Sequence, residues 1–503
     1  MTAAAPFRRI LIANRGEIAV RVAQTCRELG VESVAVYSDA DADALHRRTA
    51  DSAIRIGPAS PAESYLSIPA LVDAAVQADV DAVHPGYGFV SESAEFARAV
   101  EETGLTFIGP PPATLETLGN KLAARRAAAR AGVPVVPGVD VELGHGRDAD
   151  PDVEAIGYPA LLKAAAGGGG RGMRLVASAA EARAALPAAR REAAAAFGDG
   201  TIYLERLVRP ARHIEVQLLG DRHEGLAVLG ERECSVQRRH QKLVEEAPSP
   251  AVGEELRAAL FDSARRVAGT VEFHSAATVE FLLDADGHHY FLEMNTRLQV
   301  EHGVTELVMG LDLVAWQIRV AAGERLPATK GQPEPRGHAI EARLYAEDPW
   351  DGFRPTAGTV TAWVMPGGPG VRVDAGVETD TALPSEYDPL LAKLLVHGAD
   401  REAAIARLRR ALDETLIGGV QTDAGFARWL VDDEAFARGD YDTSLVEERW
   451  GAGPQLTDEE RRLAALAAVV GREVRAGAPL ARARATVDES AWARRARWEA
   501  LRR

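Results

Sequence analysis

Lysine is nearly missing from this chain. Of 58 basic residues among 503, five are lysine: Lys121, Lys163, Lys242, Lys330 and Lys393. Biased codon usage accounts for the low count but not for where the survivors fall. An ammonium and a planar guanidinium fork are not interchangeable at a tight phosphate site, so each remaining lysine is worth inspecting. Asparagine is scarcer still, at Asn14, Asn120 and Asn295. The two cysteines, Cys26 and Cys234, fit no metal spacing and point to a reducing, cytoplasmic setting. Positive charge is short as well: a formal net charge of −16 argues against a nucleic-acid binder. No apolar run approaches the ~20 residues that a membrane span needs. The opening "MTAAAPFRRILIANRGE" has too short an apolar core for a secretory signal. No G-x-G-x-x-G follows the first strand, which argues against a dinucleotide site there. No G-K-[S/T] follows the glycine run at 167–170, which excludes a Walker A loop.

What remains is a globular composition, 47% hydrophobic and 26% charged, in a length that suggests roughly three domains at ~150 residues each. The first third alternates strand signals ("RRILIAN", "VESVAVYSD", "DAVHPG", "LTFIGP") with helical ones, "GEIAVRVAQTCRELG" ending at Gly30. That order implies a parallel sheet. Pro110 to Pro112 mark a boundary, and a helix is predicted from about Leu115 to Ala131. A small segment then runs a strand into Lys163, a glycine loop and a second strand, "MRLV". Long strands follow, "HIEVQLLGD", "GLAVLGERECSVQ", "ATVEFLLD" and "HHYFLEMN", separated by Gly and Asp turns as in a mostly antiparallel sheet. A compact piece runs from about Gly337 to Trp450. Beyond it, "LTDEERRLAALAAVVGREVR" is predicted as an amphipathic helix with Thr457 and Glu460 as its capping box.

Four stretches carry chemistry. In "KAAAGGGGRGM" the glycines weaken a strand and let backbone N–H groups approach an anion closely. A flexible hairpin would explain the glycines alone, but Lys163 at the end of the preceding strand suits the phosphates of ATP. Lys121 stands near a helix start, where a cation is mildly unfavourable unless it faces an anion. Arg238, Arg239, His240 and Lys242 cluster between acidic ends, as a solvated face would, or as a pocket that focuses an anionic substrate. Finally, in "FLEMNTRLQVEH" every second residue from Glu293 is charged or an amide: Asn295, Arg297, Gln299 and Glu301. Alternation of this kind puts all five on one strand face. A solvated edge strand would do this. So would a site for a metal and a small anion, and Glu280 in the apolar "TVEFLL" adds a second carboxylate suited to Mg²⁺.

The chain closely resembles the biotin carboxylase component of biotin-dependent carboxylases, over about residues 7 to 450. The resemblance rests on "RILIANRGEIAVR", "DAVHPGYGFVSES", "FIGP", "KAAAGGGGRGMR", "QRRHQK", "EMNTRLQVEH", "HAIEARLYAEDP" and "YDPLLAKL", in that order. It implies an ATP-grasp fold of mixed α/β (α+β) class. A Rossmann-like parallel domain would span 1–112 and a linker helix 113–135. A glycine-flap lid would span 136–208, the ATP-grasp core 209–336, a C-terminal domain 337–450 and a helical tail 451–503.

Roles follow from the same resemblance. Lys121, Lys163, Gly169, Gly170 and His213 look like ATP contacts, with Gln237 and His240 near the ribose and phosphates. Glu205, Arg206, Leu207 and Val208 match the hinge that takes adenine. Glu280, Glu293 and Asn295 match ligands of Mg²⁺ (or Mn²⁺). Lys242, Arg297, Gln299 and the Val300 backbone match the bicarbonate pocket. Glu301 matches the base that deprotonates bicarbonate, Arg343 the group that stabilises the biotin enolate, and Tyr87 a residue of the biotin-side loop. Gly303 stands where the family often has proline, and three alanines precede the glycine run; neither departure removes a chemical group. The chain holds no Ala-Met-Lys motif and no lysine after Lys393, so biotin is expected on a separate carrier protein or domain. A carboxyltransferase partner and a homo-oligomer within a larger complex are expected too. "AWARRARWEALRR" resembles the linker of acyl-CoA carboxylase α subunits, which favours an acetyl- or propionyl-CoA type enzyme. A pyruvate-type carboxylase or another ATP-grasp ligase is the alternative.

Overall fold

The computed structural model describes residues 5–139, 156–165, 173–327 and 334–451, with Gly453 and Arg462. Gly169, Gly170, Lys330 and the capping pair Thr457 and Glu460 lie outside the described residues, as does nearly all of the tail.

Strand β1 (Arg9–Ile12) is apolar almost throughout, because it sits at the centre of a five-stranded parallel sheet and is covered on both faces. Its neighbours are β2 (Glu32–Ser38), β3 (Ser52–Gly57), β4 (Ala82–His84) and β5 (Thr106–Phe107), in the order β3-β2-β1-β4-β5. Strand β3 has no counterpart in the sequence reading. It is an edge strand whose residues 52–55 are exposed or half-buried, so it shows no apolar run. The helix Gly16–Leu29 buries Ile18, Ala19, Val22, Ala23 and Cys26 against this sheet. Each large aliphatic side chain buried here contributes roughly 1.5–3 kcal/mol toward holding the helix in place. Gly30 ends it in the left-handed conformation at φ 70°, where its N–H bonds to the last-turn carbonyls.

The single helix predicted from Leu115 to Ala131 is two, Pro112–Gly119 and Lys121–Arg130. Asn120 breaks it with an extended backbone (φ −90°, ψ 114°), and its side chain accepts from the Ala123 N–H at 3.0 Å. An asparagine at this position is a strong N-cap, which makes Lys121 the first residue of a new helix.

A four-stranded sheet follows, β6 (Gly138–Val139), β7 (Ala160–Ala164), β8 (Met173–Val176) and β9 (Ile202–Arg206), in the order β6-β9-β7-β8. The largest sheet is antiparallel and has eight strands. It runs β14 (His289–Asn295), β13 (Ser275–Asp284), β10 (Ala211–Gly220), β11 (Leu226–Arg238), β12 (Gln241–Ala247) and β15 (His338–Tyr345), then the strands Leu390–Gly398 and Val371–Ala375. Strands from both sides of residue 336 therefore share one ladder, β12 pairing β15 from Val244↔Ala342 to Ala247↔Ala339.

Candidate functional site

Register builds the site. In the ladder, Glu293 of β14 faces Glu280 of β13, Glu280 faces Glu215 of β10, and Glu215 faces Arg232 of β11. A bulge after Glu280 shifts the next pair to Phe281↔Phe291, so the two carboxylates lie side by side while the apolar pair returns to the core. The result is a polar row across four strands, three carboxylates and one guanidinium, all but Glu293 buried.

Such a row needs cations. Arg232 is fully buried; it contacts Glu215 and donates to Gln217 and Thr305 at 2.8 Å and to Thr278 at 3.1 Å. Lys242, from the start of β12, aims its Nζ into the same row. It donates to Glu215 and Glu301 at 2.7 Å each and to Glu280 at 3.1 Å. Burial would lower the Lys242 pKa, but Cys234, Glu215, Glu280 and Glu301 outweigh it and the ammonium stays charged. Glu280 also meets His213 Nε2 at 2.8 Å. Burial would raise the Glu280 carboxyl, and Lys242 and His213 hold it well below the usual carboxylate range.

The alternation from Glu293 to Glu301 is a strand face only as far as Asn295. Strand β14 ends there, the chain continues as a loop, and Glu301 is the residue that begins the helix His302–Met309. Strand β14 is the sheet's edge: among the described residues its far side meets an isolated bridge from Phe291 to Val135, and no strand runs alongside residues 296–300. Buried Leu298 pins the loop instead. The polar side chains still converge. Asn295 donates its amide to Glu280 at 2.9 Å and to Glu293 at 3.4 Å. Arg297 donates to Gln299 at 3.1 Å and to the Asn295 side-chain oxygen at 3.3 Å, and Glu92, from the loop after β4, accepts from it at 3.0 Å. Gln299 reaches Glu280 at 3.3 Å. One oxygen of Glu301 accepts from Lys242; the other accepts from Arg343 at 3.0 Å. Burial would raise the Glu301 carboxyl, yet Lys242, Arg343 and Arg232 carry it well below the ordinary range. Arg343 comes from β15, where Glu245 of β12 accepts from it at 2.7 Å.

The nucleotide-side residues gather at the other end of the row. Lys121 lies 3.3 Å from Glu293. Lys163, at the end of β7, is buried against Glu205 of β9. Gln237 is buried at the end of β11, and His240 forms the hairpin tip that follows, at φ 68°. Burial, together with Lys163, His213, Lys121 and Arg209, lowers the His240 pKa, so its imidazole is neutral within a cationic cluster. After Arg206, Leu207 donates its N–H to Pro159 at 3.0 Å and the chain runs on through Val208. Tyr87 stands apart from these groups, its hydroxyl donating to Glu17 of the first helix.

The sequence reading missed Glu92, Glu215, Arg232 and Glu245, and singled out Lys393 without giving it a role. Glu215 in "HIEVQL" carries the signal that marked Glu280, a lone carboxylate in an apolar strand. Glu92 carries none, since only the tertiary fold brings its loop to Arg297.

Fold and site together define a ligase of the ATP-grasp class. Residues 6–115 match the biotin carboxylase N-terminal domain, residues 120–329 the ATP-binding domain of the carbamoyl-phosphate synthase L chain, and residues 341–448 the biotin carboxylase C-terminal domain. The chain belongs to the biotin carboxylase family. It is 48% identical over 442 residues to a biotin carboxylase of Nostoc sp., covering 88% of this chain and 99% of that one. It is 48% identical over 445 residues to the mitochondrial methylcrotonoyl-CoA carboxylase subunit alpha of Glycine max, covering 87% of this chain but 60% of that longer one. The biotin carboxylase domain of 2-oxoglutarate carboxylase from Hydrogenobacter thermophilus, solved as a dimer with MgADP, ADP and bicarbonate, superposes with a TM-score of 0.86 at 42% identity, covering 90% of this chain and 99% of that one. Among the described residues no helix is long and apolar enough to cross a membrane.

Proposed function

We propose that this chain carboxylates biotin, borne by a separate carrier protein or domain, at the expense of ATP and bicarbonate, and that it serves an acyl-CoA carboxylase. The observation that carries the reading is Glu301, one carboxylate held between the Lys242 ammonium at 2.7 Å and the Arg343 guanidinium at 3.0 Å.

Glu301 stays ionised across the physiological range, which makes it an acceptor for the bicarbonate proton. Lys242 and Arg297 supply the positive charge that a small anion needs, and Gln299 and the Val300 backbone complete the pocket. Bicarbonate then attacks the γ-phosphate of ATP, ADP departs, and the resulting carboxyphosphate breaks to CO₂ and phosphate. That phosphate takes the proton from biotin N1, which bonds to CO₂. Arg343 is a fixed donor for the negative charge that grows on the ureido oxygen, an electrostatic role that a buried guanidinium fills without reorganisation. Tyr87 belongs to the biotin side.

Lys121, Lys163, His213, Gln237 and His240, with the glycine loop at Gly169 and Gly170, hold the nucleotide phosphates and ribose, and the segment Glu205–Val208 holds the adenine. Glu280 and Glu293, bridged by the Asn295 amide, fit Mg²⁺ or Mn²⁺, which prefers a few carboxylates plus phosphate oxygens and neutralises phosphoryl charge when bound.

The acyl-CoA acceptor is supported by the ending "AWARRARWEALRR" and by the likeness to a methylcrotonoyl-CoA carboxylase subunit. A 2-oxo acid acceptor has its own support in the likeness to a 2-oxoglutarate carboxylase domain. Neither acceptor touches this site, because a carboxyltransferase partner chooses it. We place the enzyme in the cytoplasm, as a homo-oligomer within a larger complex.

Phosphate release from ATP tests the reading. It is expected to require bicarbonate and Mg²⁺ and to rise with free biotin. Release that ignores bicarbonate but responds to an amino acid or carbamate would move the chain to another ligase class. Supplying a biotinylated carrier and a carboxyltransferase with either an acyl-CoA or a 2-oxo acid decides the acceptor.

A further inference from the structure

Lys393 lies in the middle of the apolar strand Leu390–Gly398 and is completely buried, directly opposite Arg343. A buried ammonium is expensive, and a well-packed apolar residue of similar size often serves stability as well or better. Its charge is nevertheless met by one hydrogen bond and two nearby carboxylates. Nζ donates to the Val300 carbonyl at 2.8 Å and lies 3.3 Å from Glu17 and 3.6 Å from Asp374.

The Val300 carbonyl belongs to the peptide that joins Val300 to Glu301, so holding this oxygen fixes the plane from which Glu301 departs. Among the described residues Lys393 is the one side chain that hydrogen-bonds this carbonyl. Glu301 begins its helix without a side-chain cap. On the far side, Glu17 stands in the first turn of the helix Gly16–Leu29 and also accepts from the Tyr87 hydroxyl. The contacts Tyr87–Glu17–Lys393–Val300 thus form one path from the loop after β4 to the backbone of the candidate base. Glu17 and Lys393 are both buried along it.

We propose that Lys393 is a positioning residue for the bicarbonate pocket, setting the Val300–Glu301 peptide and tying it through Glu17 to the Tyr87 loop. The proposal rests on the assignment of residues 297–301 to bicarbonate.

Steady-state ATP turnover in the full chain, titrated with bicarbonate and separately with ATP, tests it in wild type, Lys393→Met and Glu17→Gln. Lys393→Met is expected to raise the bicarbonate KM by about tenfold or more while the ATP KM stays within about twofold. Glu17→Gln keeps an acceptor for Tyr87 but loses the charge that holds Lys393, and a smaller rise of about threefold in the same constant is expected. Should Lys393→Met fail to fold, Glu17→Gln alone decides. A wild-type bicarbonate KM in the folded variants overturns the proposal, as does a parallel rise in both KM values, which marks general loosening. Wild-type turnover indifferent to bicarbonate would instead sink the pocket assignment itself, so the two failures are distinguishable.

Discussion

Glu301 shows how a carboxylate can be kept ionised in a dry site. Burial works against the charge, and Lys242 and Arg343, one on each oxygen, overcome it. Glu301→Gln retains the shape and removes the proton acceptor. Turnover is expected to fall ~10²–10⁴-fold, the usual cost of losing a general base, while ATP binding by calorimetry stays near wild type. Unchanged turnover would remove Glu301 from the mechanism. The cysteines make the opposite case. Burial pushes the Cys26 thiol up to about 12 and the Cys234 thiol up as well, so neither offers thiolate at neutral pH. The native chain should release almost no thionitrobenzoate from DTNB within minutes, and two equivalents once denatured; a fast native equivalent would show one thiol to be accessible. At this scale the sequence was legible wherever a residue type was rare or chemically out of place, as with Lys121, Lys163, Lys242 and Asn295. It was opaque for Glu92 and Arg232. Their side chains are ordinary in local sequence and gain meaning only from partners tens to hundreds of residues away.

Within β15, Glu341 lies opposite Glu245 of β12, fully buried, and neither of its oxygens has a hydrogen-bond partner among the described residues. Burial raises its pKa well above the ordinary value; Lys393 pulls it down and Glu245 pushes it further up. The sign of the pH effect follows. Below the usual carboxylate pKa, ~4.3, folded and unfolded chains both hold the proton and stability is undiminished. Between that value and the raised one only the folded chain holds it, so stability is lost as pH rises. Glu341→Gln abolishes this titration. Its melting temperature should match wild type near pH 4 and exceed it by a few degrees at about pH 8, since ~1 kcal/mol moves the midpoint of a large domain by ~2–4 °C or less. A variant less stable at pH 8 would mean that Glu341 is charged and serves Lys393 as a counterion. Elements were legible where burial is two-sided or strictly periodic, as in β1, β10 and β13. Edge strand β3 was missed because it lacks a buried face. A period of two in residues 293–301 also cannot distinguish a strand from a loop whose side chains happen to alternate.

Among the described residues, lysine amines are confined to the candidate site and to the buried interior. Lys163 and Lys393 are buried, and Lys121 and Lys242 are ion-paired within the site. Lys330 sits in "ATKGQPEP", unlike the Ala-Met-Lys setting of a biotin acceptor. Co-expressed with a biotin ligase, the chain should show no biotin by streptavidin blotting or intact mass, yet should carboxylate a separate biotinylated carrier. A stoichiometric adduct would contradict this. The alternation of strands and helices made the parallel sheet legible, and the run of long strands the antiparallel one. The continuity of the large sheet across residue 336 was not, because strand pairing between β12 and β15 leaves no local trace in either segment. That continuity bears on how such chains can be recombined. The four-stranded sheet is open, and its first and last strands in chain order, β6 and β9, lie side by side where Gly138 pairs with Glu205. Exchanging it between relatives as a cassette must match those adjacent strand ends and the packing of Ala165 and Tyr203 on Leu122 of the helix Lys121–Arg130. A crossover near residue 337 splices the ladder itself and must match β12 to β15 along with Glu301 to Arg343, so hybrids joined there inherit a foreign sheet edge and a foreign active-site pair at one stroke.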